Sequence, residues 1–164
     1  MLFDQQLEFK RLTICPKGEK DENLYWNQIS NKLGLVDDLR IMSVANPGFI
    51  PVFTSSPQEI NIFGSDWFTL EYLLACTSTT IRLEGSHFCN KDLDVILRKW
   101  KAGGFSNLEY LWIRSQNITN NGTKVLEMNL MDLVGNVIQT EDGSKTATIN
   151  LSLGGIEVSV TPFE

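Results

Sequence analysis

The chain has 164 residues, of which 42% are hydrophobic and 21% are charged, and its formal net charge at pH 7 is −6. This length suits one domain with a full core, and the composition suggests neither a disordered protein nor one inserted in a membrane. No apolar run reaches the roughly 18 residues of a membrane-spanning helix, so we expect no membrane as a partner.

The first segment, MLFDQQLEFKRLTI, lacks a basic region followed by an apolar region, so it does not resemble a secretory signal. Cys15, Cys76 and Cys89 are odd in number and form no CxxC motif. That pattern is typical of reduced thiols rather than of a disulfide framework. We therefore expect the protein in the cytoplasm or the nucleus.

Five short runs with alternating apolar residues predict β-strands. They are RLTIC, DLRIM, EINIF, TIRLE and YLWIR, which begin at Arg11, Asp38, Glu59, Thr80 and Tyr110. Their first apolar residues are separated by 27, 21, 21 and 30 positions. Most of these spacings match the roughly 20 to 29 residues of a leucine-rich-repeat unit, in which a strand is followed by a helix or an irregular return segment.

The strongest predicted helix follows the fourth strand. Asn90 is placed to cap it, and Asp92 suits its positive first turn. Its apolar side chains recur at the spacing of one helix face: Leu93, Ile96, Leu97 and Trp100. Gly103 or Gly104 can take the left-handed conformation that ends the helix. We expect Trp100 to be buried between this helix and a parallel sheet.

The other return segments have weaker helical patterns. Asp66 is placed to cap a helix with the apolar stripe Trp67, Leu70, Leu73 and Leu74. A stripe of Trp26, Ile29 and Leu33 ends at Gly34. The segment ANPGFIPVFTSSP, after the second strand, contains three prolines, which predict an irregular return. These tryptophans are expected in the core rather than at a ligand site.

The pattern changes from about Gly135 to β-rich runs, with turns at Asp142-Gly143 and Gly154-Gly155. The sequence thus predicts an α/β fold: a leucine-rich-repeat-like βα solenoid with a mostly parallel sheet, followed by a C-terminal antiparallel β-hairpin cap. We expect a single domain over residues 1–164, with repeat-like units in residues 1–115 and the cap in residues 116–164.

Motifs for catalysis, cofactors and metals are missing from the sequence, including GxGxxG, the P-loop, HExxH, GxSxG and CxxC. His87 and Cys89 lie in one loop, GSHFCN, but two ligands do not make a four-ligand zinc site. An enzyme would require a deep pocket around these two residues with a perturbed thiol. We therefore expect no enzyme activity, no cofactor and no metal.

The segment LRKWK, from Leu97, mixes basic residues with a tryptophan. Arg98, Lys99 and Lys101 are expected on the solvated face of the helix, while Trp100 points inward. The net charge of −6 opposes the attraction to phosphates on which nucleic-acid binding depends. We therefore expect no nucleic acid as a partner.

Two segments carry a family resemblance. The run from Thr80 to Ile113 contains Asp92, Leu93, Leu97, Trp100 and Gly103, followed by Leu108, Glu109, Leu111 and Ile113. It resembles the signature of the type-two F-box-associated domain of nematode F-box proteins, which pairs Asp-Leu-x-x-x-Leu-Lys-x-Trp-x-x-Gly with Leu-Glu-x-Leu-x-Ile. The run TEDGSKTATI, from Thr140, resembles the hairpin of the same family. The chain departs from the family at Asp94, at Arg98 and in its C-terminal SVTPFE.

The resemblance implies a non-enzymatic protein-interaction domain, the substrate-recognition module of an SCF-type ubiquitin ligase adaptor. In such adaptors a separate F-box binds the Skp1-like subunit. We find no F-box in this chain, so a Skp1-like subunit is expected only through an F-box elsewhere. The alternative is a stand-alone binding protein of the same fold that sequesters a partner protein without ubiquitin transfer.

The alternation also predicts where a protein partner binds. If the apolar strand residues face inward, one outward column contains Thr13, Arg40, Asn61, Arg82 and Trp112. Arginine and aromatic residues dominate interface hot spots. We therefore predict partner binding by Arg40, Phe63, Arg82, Glu84, Tyr110, Trp112 and Arg114. The alternatives are a merely solvated sheet face, a face covered by the C-terminal hairpins, or binding by loops such as residues 46–57.

Overall fold

The computed structural model describes residues 9–42 and 51–162. The strands are β1 (Phe9–Ile14), β2 (Val36–Ile41), β3 (Glu59–Phe63), β4 (Thr80–Ser86), β5 (Tyr110–Ser115), β6 (Val137–Gln139), β7 (Lys145–Ser152) and β8 (Gly155–Pro162). The helices are α1 (Glu22–Ile29), α2 (Leu70–Ala75), α3 (Asn90–Lys101) and α4 (Leu130–Leu133), and a 3-10 helix covers Ser30–Leu35.

The eight strands of the described residues form one sheet in the order β1-β2-β3-β4-β5-β8-β7-β6. Strands β1 to β5 pair in parallel, whereas β8 joins β5 antiparallel and β7 and β6 follow antiparallel. The predicted mixed α/β class, with parallel strands first and antiparallel strands last, is confirmed. Because β8 pairs with β5, the last parallel strand has no open edge on that side.

The inward strand residues are aligned across the sheet. Leu39, Ile60, Ile81 and Leu111 are successive Cα partners, and Val158 continues the row. None of these five side chains is more than 1% exposed. Side chains of a strand alternate between the two faces of the sheet. When inward residues of neighbouring strands are Cα partners, the inward side chains of all the strands therefore lie on one face. This face, here called the core face, shares one hydrophobic core with the helices.

Helix α3 packs as predicted, but its first turn differs from the prediction. Its apolar stripe is buried, and Gly103 ends the helix with a φ of 94°. Cys89, not Asn90, is the N-cap residue, and its N–H donates to the Asp92 carboxylate at 2.8 Å. Asn90 is instead buried at 2% exposure and donates to the carbonyl of Thr119 at 2.7 Å. The amide therefore fixes the loop after β5 against α3.

The return between β2 and β3 is held by aromatic contacts. Residues 45–50 of the predicted irregular segment lie outside the described residues, and residues 51–58 contain no helix or strand. The Trp26 indole donates to the carbonyl of Val52 at 2.8 Å. The Phe53 ring centroid lies 5.1 Å from that of Trp26 and 5.4 Å from that of Phe68. Aromatic edge-to-face packing thus replaces helical structure in this connection.

Helix α2 is shorter than its apolar stripe predicts. It begins after Thr69, whose hydroxyl accepts a hydrogen bond from the N–H of Tyr72. Asp66 is therefore not the cap, and Trp67 precedes the helix as a half-buried side chain. Within the stripe, Leu73 is fully buried.

Replacement of Trp100 by alanine should destabilise the fold strongly. The side chain is 1% exposed, and large-to-small changes of buried aromatic residues typically cost about 3–5 kcal/mol of unfolding free energy. Denaturant unfolding followed by circular dichroism measures the loss. Val95→Ala is the matched control, because Val95 lies on the same helix and is 43% exposed. Equal stabilities of the two variants would contradict the packing of α3.

Candidate protein-binding face

The side of the sheet opposite the core face, here called the front face, carries the predicted outward column. Thr13, Arg40, Asn61, Arg82 and Trp112 are successive Cα partners across β1 to β5. Each of these side chains is half-buried or exposed, whereas the core-face residues beside the column on β2 to β5 are buried. The alternation predicted from the sequence therefore places the column correctly.

The C-terminal strands extend the front face and do not cover it. Glu157 of β8 is the Cα partner of Trp112, and Asn150 of β7 is the partner of Glu157. The Trp112 indole N–H donates to the carbonyl of Ser152 at 2.8 Å, so the β7–β8 turn contacts the column at this position. The alternative of a face covered by the hairpins is wrong for the described residues.

A groove of about 310 Å³, here called the front groove, lies on this face. It is lined by Arg40, Asn61, Ile62, Phe63, Arg82, Glu84, Tyr110, Trp112 and Leu153. Six of the seven candidate residues thus share one groove. The seventh, Arg114, lies outside its lining and donates to the Glu84 carboxylate at 3.3 Å.

Asp38 organises the charges beside the front groove. Its carboxylate accepts hydrogen bonds from Arg11 at 2.8 Å, Arg40 at 3.0 Å and Asn61 at 2.9 Å. Burial opposes ionisation of Asp38, but these hydrogen bonds together outweigh burial and lower the pKa of the carboxyl. The Asp38 carboxylate is thereby ion-paired with two arginines of the same protein.

Tyr110 contacts both Arg82 in the groove and Glu157 beside it. The Arg82 guanidinium lies 4.8 Å from the centroid of the Tyr110 ring, a cation–π geometry. The phenol donates to Glu157 Oε2 at 2.9 Å. Burial raises the pKa of the Tyr110 phenol, and the Glu157 carboxylate raises it further, while Arg82 opposes the rise. The phenol therefore stays neutral and keeps its donor at physiological pH.

Leu153 is the main groove residue that sequence reasoning missed. It lies in the β7–β8 turn with a φ of 51° and is 86% exposed. A leucine before two glycines signals only a turn, and its place beside β3 and β4 follows from the pairing of β8 with β5. Asn61 is part of the predicted outward column but is not among the seven residues predicted to bind a partner. It donates a hydrogen bond to Asp38 and lines the groove.

The His87–Cys89 loop is built around structural contacts. The His87 ring centroid lies 5.1 Å from that of Phe88, and the His87 carbonyl accepts a hydrogen bond from Asn117 at 3.0 Å. Among the described residues, no group of three histidine, cysteine, aspartate or glutamate side chains is placed to hold a metal ion. In the same part of the chain, no helix has the length and apolar character needed to cross a membrane.

Replacement of Asp38 by asparagine should lower stability in a pH-dependent way. The loss at pH 7 should be about 1–2 kcal/mol, because hydrogen bonds to a charged group are lost but the arginines remain solvated. The pKa of Asp38 is lower in the folded chain than the ordinary value of 3.8, so protonation favours the unfolded state. The stabilisation is complete above that value and disappears as the pH falls through the folded-state pKa.

Urea unfolding at pH 7 and near pH 3 measures this difference. Asp37→Asn is the matched control, since Asp37 is an exposed neighbour on the same strand. A pH-independent difference between wild type and Asp38→Asn, or an equal effect of Asp37→Asn, would contradict the assignment.

Gly155 is required for the position of Trp112. A Cβ at Gly155 would lie 2.7 Å from Nε1 and 2.8 Å from Cε2 of the indole. Gly155→Ala should therefore displace the indole from Ser152 and cost about 1–3 kcal/mol of stability. The Trp112 indole N–H resonance in a proton–nitrogen NMR spectrum should shift. Gly34→Ala, where a Cβ meets nothing within 4 Å, is the control and should leave that resonance unchanged.

Comparison with known proteins bears on the centre of the chain. The family model described as F-box associated matches residues 49–113. This range includes β3, α2, β4 and α3 and ends within β5. Its strands contribute Phe63, Arg82, Glu84, Tyr110 and Trp112 to the front groove. The comparisons with curated proteins and with solved structures returned no match. This match supports the resemblance to an F-box-associated domain over residues 49–113.

Proposed function

We propose that this chain is a non-enzymatic protein-interaction domain whose front face recognises the substrate of an SCF-type ubiquitin ligase. The observation that carries the proposal is the front groove, which lies largely on the strands that match the F-box-associated family. In this proposal a Skp1-like subunit binds an F-box outside this chain. The chain itself supplies the recognition of a protein partner.

The composition of the groove supports protein recognition. Trp, Tyr and Arg are the residue types most enriched in interface hot spots, and the groove combines Trp112, Tyr110 and Arg82. Phe63 and Leu153 add apolar side chains that are 37% and 86% exposed. Exposed apolar side chains grouped in one place are typical of interaction sites. We propose Arg40, Glu84 and Arg114 as the polar rim around this centre.

We also propose that the repeat-like part is a leucine-rich-repeat-like solenoid within a single domain over residues 1–164. The support is the spacing of the parallel strands and the uninterrupted pairing of β1 to β5. Each β-strand unit buries its apolar residues only together with its neighbours, as in repeat proteins. A protein-interaction role in a ubiquitin ligase fits a cytoplasmic or nuclear location.

Replacement of the two central groove residues should reduce partner recovery. Arg82→Ala and Trp112→Ala, made in the complete gene product, should each weaken binding at least tenfold if they are hot spots. Quantitative affinity purification from the cells that express the protein measures recovery. Lys91→Ala is the control, because Lys91 is an exposed cation at the start of α3 on the other side of the molecule's sheet.

Two outcomes would decide against parts of this proposal. If both folded variants recover every partner as wild type does, the front face is not the recognition surface, and the loops, including residues 46–57, become the site to test. If the complete gene product recovers its partner without a Skp1-like subunit, the protein sequesters its partner and is not a ligase adaptor. Circular dichroism confirms that each variant is folded.

A further inference from the structure

Among the described residues, the arginines of the front face are paired with carboxylates except at one place in the groove. Arg11 and Arg40 both bond Asp38, and Arg114 bonds Glu84. Arg82 forms no ion pair with any carboxylate of the described residues. Its contact is the Tyr110 ring, and its guanidinium N–H groups have no hydrogen-bond acceptor among the described residues, so they are available to a ligand. Arg82 is therefore the available cation of the groove.

Apolar side chains stand around this cation. Trp112 is the Cα partner of Arg82 on β5, and its indole is fixed by the bond to Ser152. Phe63 and Leu153 line the same groove and are exposed. A volume of about 310 Å³ lies at the lower end of the range for ligand pockets, so it accepts a few side chains rather than a whole domain.

We propose that the front groove binds a short segment of the partner that presents one aspartate or glutamate next to an apolar side chain. The carboxylate pairs with the Arg82 guanidinium, which suits two parallel N–H···O bonds. The apolar side chain packs among Phe63, Trp112 and Leu153. This inference rests on the proposed function, since it names the chemistry of the partner recognised at the same face.

The charge balance favours a carboxylate over a phosphate. Sites for phosphorylated segments use clusters of arginines, and a phosphate brings about two negative charges at neutral pH. Here Arg40 and Arg114 are already paired, so only Arg82 would face the phosphate, with Glu84 in the same groove. The formal net charge of −6 also disfavours a strongly acidic segment at long range. A segment with one acidic residue and otherwise neutral residues matches the single unpaired arginine and avoids strong long-range repulsion.

A basic segment fits the groove less well. Glu84 accepts from Arg114, and Glu157 lies outside the groove lining, where it accepts from the Tyr110 phenol. Glu59 is exposed on the same face but does not line the groove. A lysine or arginine of the partner would therefore be repelled by Arg82, and the one carboxylate in the groove lining, Glu84, is already paired with Arg114.

A random twelve-residue peptide display library, selected on the full chain, tests the proposal. The wild-type chain should enrich peptides with Asp or Glu beside a large apolar residue. Arg82→Glu, which reverses the charge, should lose these peptides and enrich Lys or Arg at the same position. Lys91→Glu makes the same charge change on α3 and should select the wild-type set.

Synthetic versions of the enriched peptides measure how much the acidic residue contributes to binding affinity. Replacing the acidic residue by its amide, Asn or Gln, should weaken binding to the wild-type chain about tenfold or more at moderate salt. On Arg82→Ala the acid and the amide should bind equally. Tyr110→Phe keeps the ring under Arg82 and should retain the preference for the acid.

Several results would overturn the proposal. These are enrichment of basic peptides by the wild-type chain, the same peptides on wild type and Arg82→Glu, binding only after phosphorylation, or no enriched peptide at all. Such a result leaves the proposed function standing if Arg82→Ala and Trp112→Ala still reduce recovery of the natural partner. The proposed function fails instead if that recovery is unchanged, whatever the peptide library selects.

Discussion

The alignment of the five parallel strands is the constraint on which the core and the candidate site both depend. Since side chains alternate at every residue, a shift of one position in any strand would exchange its core and front residues. The register of β3 against β4 places Ile60 beside Ile81 and, on the opposite face, Asn61 beside Arg82. The burial of isoleucine and leucine therefore fixes the order of the arginines and aromatic residues on the front face.

The junction between the parallel and antiparallel parts contributes Trp112 and Leu153 to the front groove. The backbone of Gly155 leaves space for the Trp112 indole, and the β7–β8 turn then brings Leu153 next to residues of β3 and β4. A larger residue at Gly155 would press on a rigid ring and on the carbonyl of Ile113. The absence of a side chain at Gly155 thus allows the Trp112 indole to take its position in the candidate site.

The sequence predicts the strands, their alignment and the outward column, because each depends on local alternation that the residues display directly. It predicts the role of Asn90 wrongly, because a cap and a buried amide that binds a distant loop require the same residue type. It also misses Leu153, whose position follows from the pairing of β8 with β5. The sequence also does not predict which arginines form ion pairs. Alternation places both Arg40 and Arg82 on the front face, but of these two only Arg40 bonds Asp38.

The charged side chains on the front-face positions of the strands are equal in number for the two signs. They are Arg11, Arg40, Arg82 and Arg114 against Asp38, Glu59, Glu84 and Glu157. A surface without net charge on a chain of net charge −6 has little long-range attraction for partners of either sign. In our proposal, recognition there rests on contact, that is, on the desolvation of apolar side chains and on Arg82, which no carboxylate of the described residues neutralises. The proposed site would thus select a partner by the position of a single charge rather than by the amount of charge.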